Sequence, residues 1–366
     1  FNPVACYVKA FELPETMKGL PVRVSFQGAE SCVALWLNGQ YVGFSGDSFT
    51  PSDFDLTPYL QPGRNKLACR VYRWWAGSWA EDQDFFRFSG LFRDVYLYAV
   101  PAVHVRDLSI RALLDDDYRD GTLQVCAQME SKGPWQVELR LLDGEREIAA
   151  AAVQGTDGEA KAEMAVKEPE KWSAECPKLY RLLVTVSDGE GRVTEVIRQN
   201  VGFRRFEMKN GLNGKRIVFK GANRHDFCAE RGRAVTAEHI RRDLLTMKRN
   251  NINAVRTCHY PAHDAVYALC DELGLYVIAE SNLESHGIWD QIDREKRLCS
   301  SRRPGGMESA DAGPHRVHLS AGQEPSFHSD LELRQRVAGR QRALRHEPAL
   351  PGAGQYPSGA LRRHGP

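Results

Sequence analysis

With 366 residues, a formal net charge of +1 and 42% hydrophobic residues, the chain has material for two or three cores and no charge surplus that would draw it to nucleic acid. No apolar run is long enough to cross a membrane, and the opening FNPVACY lacks the basic patch and apolar core of a secretory leader. Nine scattered cysteines without CxxC or zinc-finger spacing point to reduced thiols in a cytoplasmic protein rather than a disulfide framework or a cysteine metal cluster.

From Phe1 to about Pro101, short alternating segments recur between turn signals: YVKAFELP, VRVSFQG, CVALWLNGQYVGFS, NKLACRVYRW and RDVYLYAV. Alternation with period two marks strands with one buried face, and Asn38-Gly39 marks a two-residue hairpin because both turn positions need φ > 0. An antiparallel β-sandwich is expected. Within it, RWWAGSWAEDQDFFRFSGLFRD gathers Trp74, Trp75, Trp79, Phe85 and Phe86 around Glu81, Asp82 and Asp84. Two readings stand side by side. Rings can stack on sugar carbons while carboxylates accept from the hydroxyls, or they can plug a core and leave the acids solvated.

A second all-β block runs from about Ala102 to Phe203, with strands expected at VHVRDLSIRAL, GTLQVCAQME, WQVELRLLD, YRLLVTVSD and VTEVIRQNVGF. Turns rich in Asp and Gly separate them, and the spacing fits an immunoglobulin-like sandwich. No catalytic grouping occurs in it, so a spacer role is expected.

Beyond it the period changes to 3.6. In TAEHIRRDLLTMKRNN, Thr236 is an N-cap with Glu238 in the first turn, and Ile240, Leu244, Leu245 and Met247 form a stripe. The next helix, HDAVYALCDELG, buries Val266, Leu269, Cys270 and Leu273 and stops at Gly274. Strand signals at RIVFKG, INAVR and LYVIAE alternate with these helices, the pattern of a parallel α/β unit. Each strand is followed by polar groups: Asn223, Arg224 and His225, then Arg256, His259 and Tyr260, then Glu280, Asn282, Glu284 and His286. Loops after successive parallel strands lie side by side at one end of a barrel, so this row reads as an active site. Glu284 and His286, two apart in an extended loop, suit a metal ion, with a loop-end hydrogen bond as the plainer alternative.

The segments NGQYVGFSGDSFTPSDFDLTPYLQPGRN, EDQDFFRFSGLFRDVYLY, GANRHDF, MKRNNINAVRTCHYP and CDELGLYVIAESNLESHG resemble, in order, those of glycoside hydrolase family 2, and in particular its large bacterial β-galactosidases. The resemblance covers roughly Phe1 to Asp293. It implies a jelly-roll sugar-binding domain over 1–101, an immunoglobulin-like domain over 102–203, and the first part of a (β/α)8 TIM barrel over 204–294. The implied reaction is retaining hydrolysis of terminal β-D-galactosides by two Glu side chains, acid/base and nucleophile. Asp84 would bind galactosyl hydroxyls and a sodium ion, His225 and His259 would contact the sugar and its transition state, and Glu284 and His286 would be magnesium ligands. A small-molecule β-galactoside is the implied partner, along with further copies of the chain in a homo-oligomer. A β-glucuronidase would show Lys before the strand-end His, where this chain has Arg224. The chain departs from the family in beginning just after its first sugar-contacting loop and in lacking both catalytic Glu, so that as written it reads as an inactive fragment.

From 295 to 366 the composition turns to Arg, Gly, Pro, Ser and Ala, and no strand is expected. AGQEPSFHSDLELRQRV has a back-translation whose shifted frame spells QDKNHPSILIWSCGNE, and AGQYPSGALRRHG likewise permits QDNTRPVHYEG. Both strings resemble later segments of the same family, in the same frame and order. A single-base insertion or deletion near Lys296 to Cys299 is therefore expected.

Overall fold

A computed structural model describes residues 1–207 and 211–285, so the expectations for His286 and for the tail lie outside the described residues. The first domain is the expected antiparallel sandwich. One sheet orders Val4–Glu12, Arg64–Tyr72, Cys32–Leu37 and Gln40–Ser45, and a second orders Ser52–Asp55, Val22–Phe26 and Val95–Ala99. Alternate residues of these strands, including Val24, Phe26, Leu35, Leu37 and Val71, make the core. The hairpin turns at Asn38 (φ 53°) and Gly39 (φ 83°), as the two residue types require.

The second domain is a sandwich of seven strands, two more than expected. His104–Leu114, Gly121–Glu130 and Glu159–Val166 form one sheet; Arg146–Gly155, Trp135–Asp143, Tyr180–Asp188 and Val193–Val201 form the other. The overlooked pair, REIAAAAVQG and EAKAEMAV, is rich in alanine and glutamate, which are depleted in strands, so the period-two signal is faint there. Their inward residues, among them Ala160, Met164 and Val166, nevertheless close the core with Leu123, Val137, Leu182 and Val184.

The third unit is parallel. Strands Gly221–Arg224, Ala254–Thr257 and Tyr276–Ala279 pair in that order, joined by helices Ala237–Arg249 and Asp264–Leu273. Thr236 caps the first helix by accepting from the His239 N–H, and the second ends at Gly274 in the left-handed region. The first strand lies later than RIVFKG. Asn253 explains the shift: its Oδ1 accepts from the Lys220 N–H at 2.7 Å and its Nδ2 donates to the Val218 carbonyl at 2.9 Å, so the ladder opens at Gly221. Ile217 and Phe219 pack against Trp172, Leu212 and Tyr276 instead.

Candidate active site

The parallel register aligns Arg224, Thr257 and Ala279 across the three strands, so the residues just beyond them share one end of the sheet. Arg256 donates from Nε to Glu280 and reaches Asn223 Oδ1 at 3.5 Å. The other Glu280 oxygen lies 3.3 Å from His259 Nδ1. The His225 and His259 rings stand 5.5 Å apart at 71°, and His225 Nδ1 lies 3.4 Å from the Tyr260 hydroxyl. Burial first, then the nearby His259 and Arg233, push His225 below the ordinary histidine range. A neutral imidazole offers one donor and one acceptor, which suits sugar hydroxyls.

Beneath this surface lies an ionic floor. Arg224, expected among the site groups, is 8% exposed and points into the fold, donating to Asp226 Oδ1 at 2.6 Å and to Asp243 at 3.1 Å. It belongs to the strand itself, where its neighbours Asn223 and His225 take the opposite face. Asp226 also accepts from Arg93 of the first domain at 3.2 Å and from the His263 N–H at 2.9 Å. Burial raises the Asp226 carboxyl, but Arg93 and Arg224 outweigh it and hold it below the usual carboxylate range. Arg93 spans the junction, donating to the carbonyls of Phe49 and Pro261, each at 2.8 Å. Nothing local in the sequence marks Arg93 or Asp226, because their partners lie 133 residues apart.

The aromatic and acidic stretch of the first domain folds over these strand ends, and the expected core plug is found for part of its rings. Phe85 packs edge-on to Tyr260 at 5.4 Å, Phe49 stacks on Tyr260 at 4.0 Å, and Arg233 lies over the rings of Phe85, Phe49 and Tyr260. Those rings are core. Trp79 and Phe86 stay exposed, as does Asp84. Glu81 is buried and bound to Ser48 and Asn282 rather than solvated. Asp84 thus rides on a loop whose next residue touches Tyr260, which in turn faces His225. Glu284 is half-buried and pairs by backbone with Glu81.

Among the described residues no group of three His, Cys, Asp or Glu side chains could hold a metal ion. Glu284 and Asp84 each bring one carboxylate, so the described residues alone do not complete a magnesium or a sodium site.

Family models match the chain in three consecutive pieces: the sugar binding domain of glycosyl hydrolases family 2 over residues 1–101, the family 2 domain over 103–204, and the family 2 TIM barrel domain over 207–317. The chain belongs to glycosyl hydrolases family 2. This family 2 chain is 50% identical over 299 residues to a β-galactosidase of Halalkalibacterium halodurans, covering 80% of the chain and 30% of that protein. It is 46% identical over 320 residues to a β-galactosidase of Priestia megaterium, covering 83% of the chain and 31% of that protein. The chain therefore spans about a third of the length of these relatives. Among solved structures, a β-glucuronidase of Bacteroides uniformis superposes with a TM-score of 0.70 at 26% identity over 77% of the chain and 36% of that protein. A β-glucuronidase of Parabacteroides merdae shares the fold with a TM-score of 0.71 at 22% identity over 77% and 38%. These establish the architecture as a family 2 sugar-binding sandwich, an immunoglobulin-like sandwich and the first strands of a TIM barrel.

Proposed function

We propose that the chain is the galactoside-holding portion of a retaining β-galactosidase. The observation that carries this is the convergence of His225, His259 and the Asp84 loop at one end of the parallel strands, in a chain 46–50% identical to β-galactosidases. Asp84 would accept from galactosyl hydroxyls, and His225 and His259 would hydrogen-bond the ring substituents and, as charge develops at the anomeric carbon, the transition state. Glu284 with His286 would contribute to a magnesium site and Asp84 to a sodium site, completed by side chains outside the described residues. A cytoplasmic, homo-oligomeric enzyme is part of the same proposal; among the described residues no helix is long and apolar enough to cross a membrane.

Holding is not cleaving. The resemblance implies an acid/base and a nucleophile carboxylate for which the sequence offers no matching segment, so the chain as written is expected to bind a β-galactoside without turning it over. The tail beyond 294 is proposed to be out of frame. A chromogenic β-galactoside assay checks the first point, and turnover at ordinary enzyme rates by the chain as written would contradict it. Sequencing the coding DNA across Lys296 to Cys299 checks the second. Tail codons unable to encode the family segments in any frame would end it.

A further inference from the structure

Resting on that reading, we infer that Glu81 and Asn282 are positioning residues: they latch the first domain to the loop after the third barrel strand and so hold Asp84 against the strand ends that carry His225 and His259.

The Asn282 amide is consumed at both ends by the first domain. Its Nδ2 donates to Glu81 Oε1 at 2.5 Å and to Asp47 Oδ1 at 3.1 Å, and its Oδ1 accepts from Gln83 Nε2 at 2.8 Å. Glu81, 6% exposed, also accepts from the Ser48 N–H at 3.0 Å and the Ser48 hydroxyl at 2.6 Å. Two backbone bonds flank this cluster. The Asp82 N–H donates to the Glu284 carbonyl and the Glu284 N–H to the Ala80 carbonyl, both at 2.8 Å. Together they make a short parallel pairing between Glu81 and Glu284, two segments about 200 residues apart in the chain.

Burying a carboxylate costs several kcal/mol even when it is well hydrogen-bonded, so a purely adhesive contact would be better served by apolar side chains. Directional bonds do something apolar contact does not: they fix register. A slip of one residue would turn Asn282 to the other side of its extended loop and strand Glu81, Asp47 and Gln83 at once. Asp84 follows Glu81 by three residues and Phe85 seats on Tyr260 at 5.4 Å, so the register set at Glu81 is passed directly to the sugar-facing groups.

The test uses the full chain and three variants, Glu81→Ala, Asn282→Ala and Glu81→Gln. Affinity for isopropyl β-D-thiogalactoside is measured by NMR titration, hydrogen exchange at the Asp82 and Glu284 amides by mass spectrometry, and global stability by urea unfolding. The two alanine variants are expected to bind at least about tenfold more weakly and to exchange these amides at least about tenfold faster, as leaving the buried partners of the lost hydrogen bond unpaired implies. Glu81→Gln, which keeps an acceptor oxygen for Asn282, is expected to recover most of both. Alanine variants with wild-type affinity and wild-type exchange would overturn the inference, as would Glu81→Gln behaving like Glu81→Ala. If Glu81→Ala fails to fold, Asn282→Ala and Glu81→Gln decide between the same outcomes. If the wild-type chain does not bind the thiogalactoside, the proposed function fails, while amide exchange still decides the latch: faster exchange in Asn282→Ala supports it and unchanged exchange overturns it.

Discussion

At the N-terminal ends of the barrel strands, the second domain meets the barrel through rings and one lysine. Trp172, 1% exposed, packs edge-on to Tyr276 at 5.7 Å and donates from its indole N–H to the Asp271 carbonyl at 2.9 Å. Lys248 ties the carbonyls of Ala174 and Gly274 at 2.6 and 2.8 Å, and Gly274 itself could not be larger, since a Cβ there would lie 2.4 Å from the Ala174 carbonyl oxygen. At the C-terminal ends, the first domain meets the same strands through Glu81, Asn282, Arg93, Asp226 and a carpet of aromatic rings around Arg233. The lower junction is mostly shape and apolar area. The upper one is mostly directional. Burial is non-directional and supplies stability, whereas paired polar groups specify position, so the division matches a barrel whose chemistry sits at one end and whose support sits at the other.

That contrast can be broken by exchanging the two kinds of effect. Trp172→Ala removes the largest buried ring of the lower junction and is expected to destabilise the chain by about 3–5 kcal/mol, with galactoside affinity of the folded fraction unchanged. Urea unfolding beside a ligand titration checks it, and a loss of affinity at full folding would show the lower junction to be directional as well.

A second, smaller effect sharpens the contrast through pH. Burial raises the Glu81 carboxyl from the ordinary 4.5 to about 7, with the hydrogen bonds from Ser48 and Asn282 opposing the rise and nearby Asp47 adding to it. Between these two values the folded chain holds a proton that the unfolded chain has released. The stability contribution of Glu81 is therefore full below about pH 4.5 and is lost as pH rises through about 7, by about 3 kcal/mol in all. Glu81→Gln should flatten that part of the stability profile. Glu195, buried in the second domain and raised by that burial to about 7 against a hydrogen bond from the Val105 N–H, should contribute a slope of the same sign. Glu195→Gln should flatten it without touching galactoside affinity. A profile unchanged by either substitution would contradict the assignment.

The smallest expected effect is at Tyr260. Its hydroxyl accepts from the Asp226 N–H at 3.1 Å, so Tyr260→Phe leaves that buried donor unpaired at a cost of about 1–2 kcal/mol. Thermal unfolding reads this directly, and no change would mean the donor finds another partner.

What was legible in the sequence was local. Asn38-Gly39 fixed its hairpin, Gly274 its helix end, and the alternation of strand and helix periods the parallel unit with its row of strand-end residues. What was not legible depended on partners far along the chain. Arg224 looked like a site residue until Asp226, Asp243 and the strand register drew it inward, and RIVFKG looked like a strand until Asn253 moved the ladder to Gly221. Glu81 stood in plain view beside Asp82 and Asp84, yet nothing within ten residues of it reveals that Ser48 and Asn282 have claimed it.

The proposed galactosyl site joins the three strand ends to the Asp84 loop. Its most direct test is an NMR titration of the chain with methyl β-D-galactopyranoside and with its 4-epimer, methyl β-D-glucopyranoside. Saturable binding of the galactoside, markedly weaker binding of the glucoside, and loss of the former in Asp84→Ala and His259→Ala are expected. Equal responses to the two epimers, or galactoside binding that survives both substitutions, would contradict the claim.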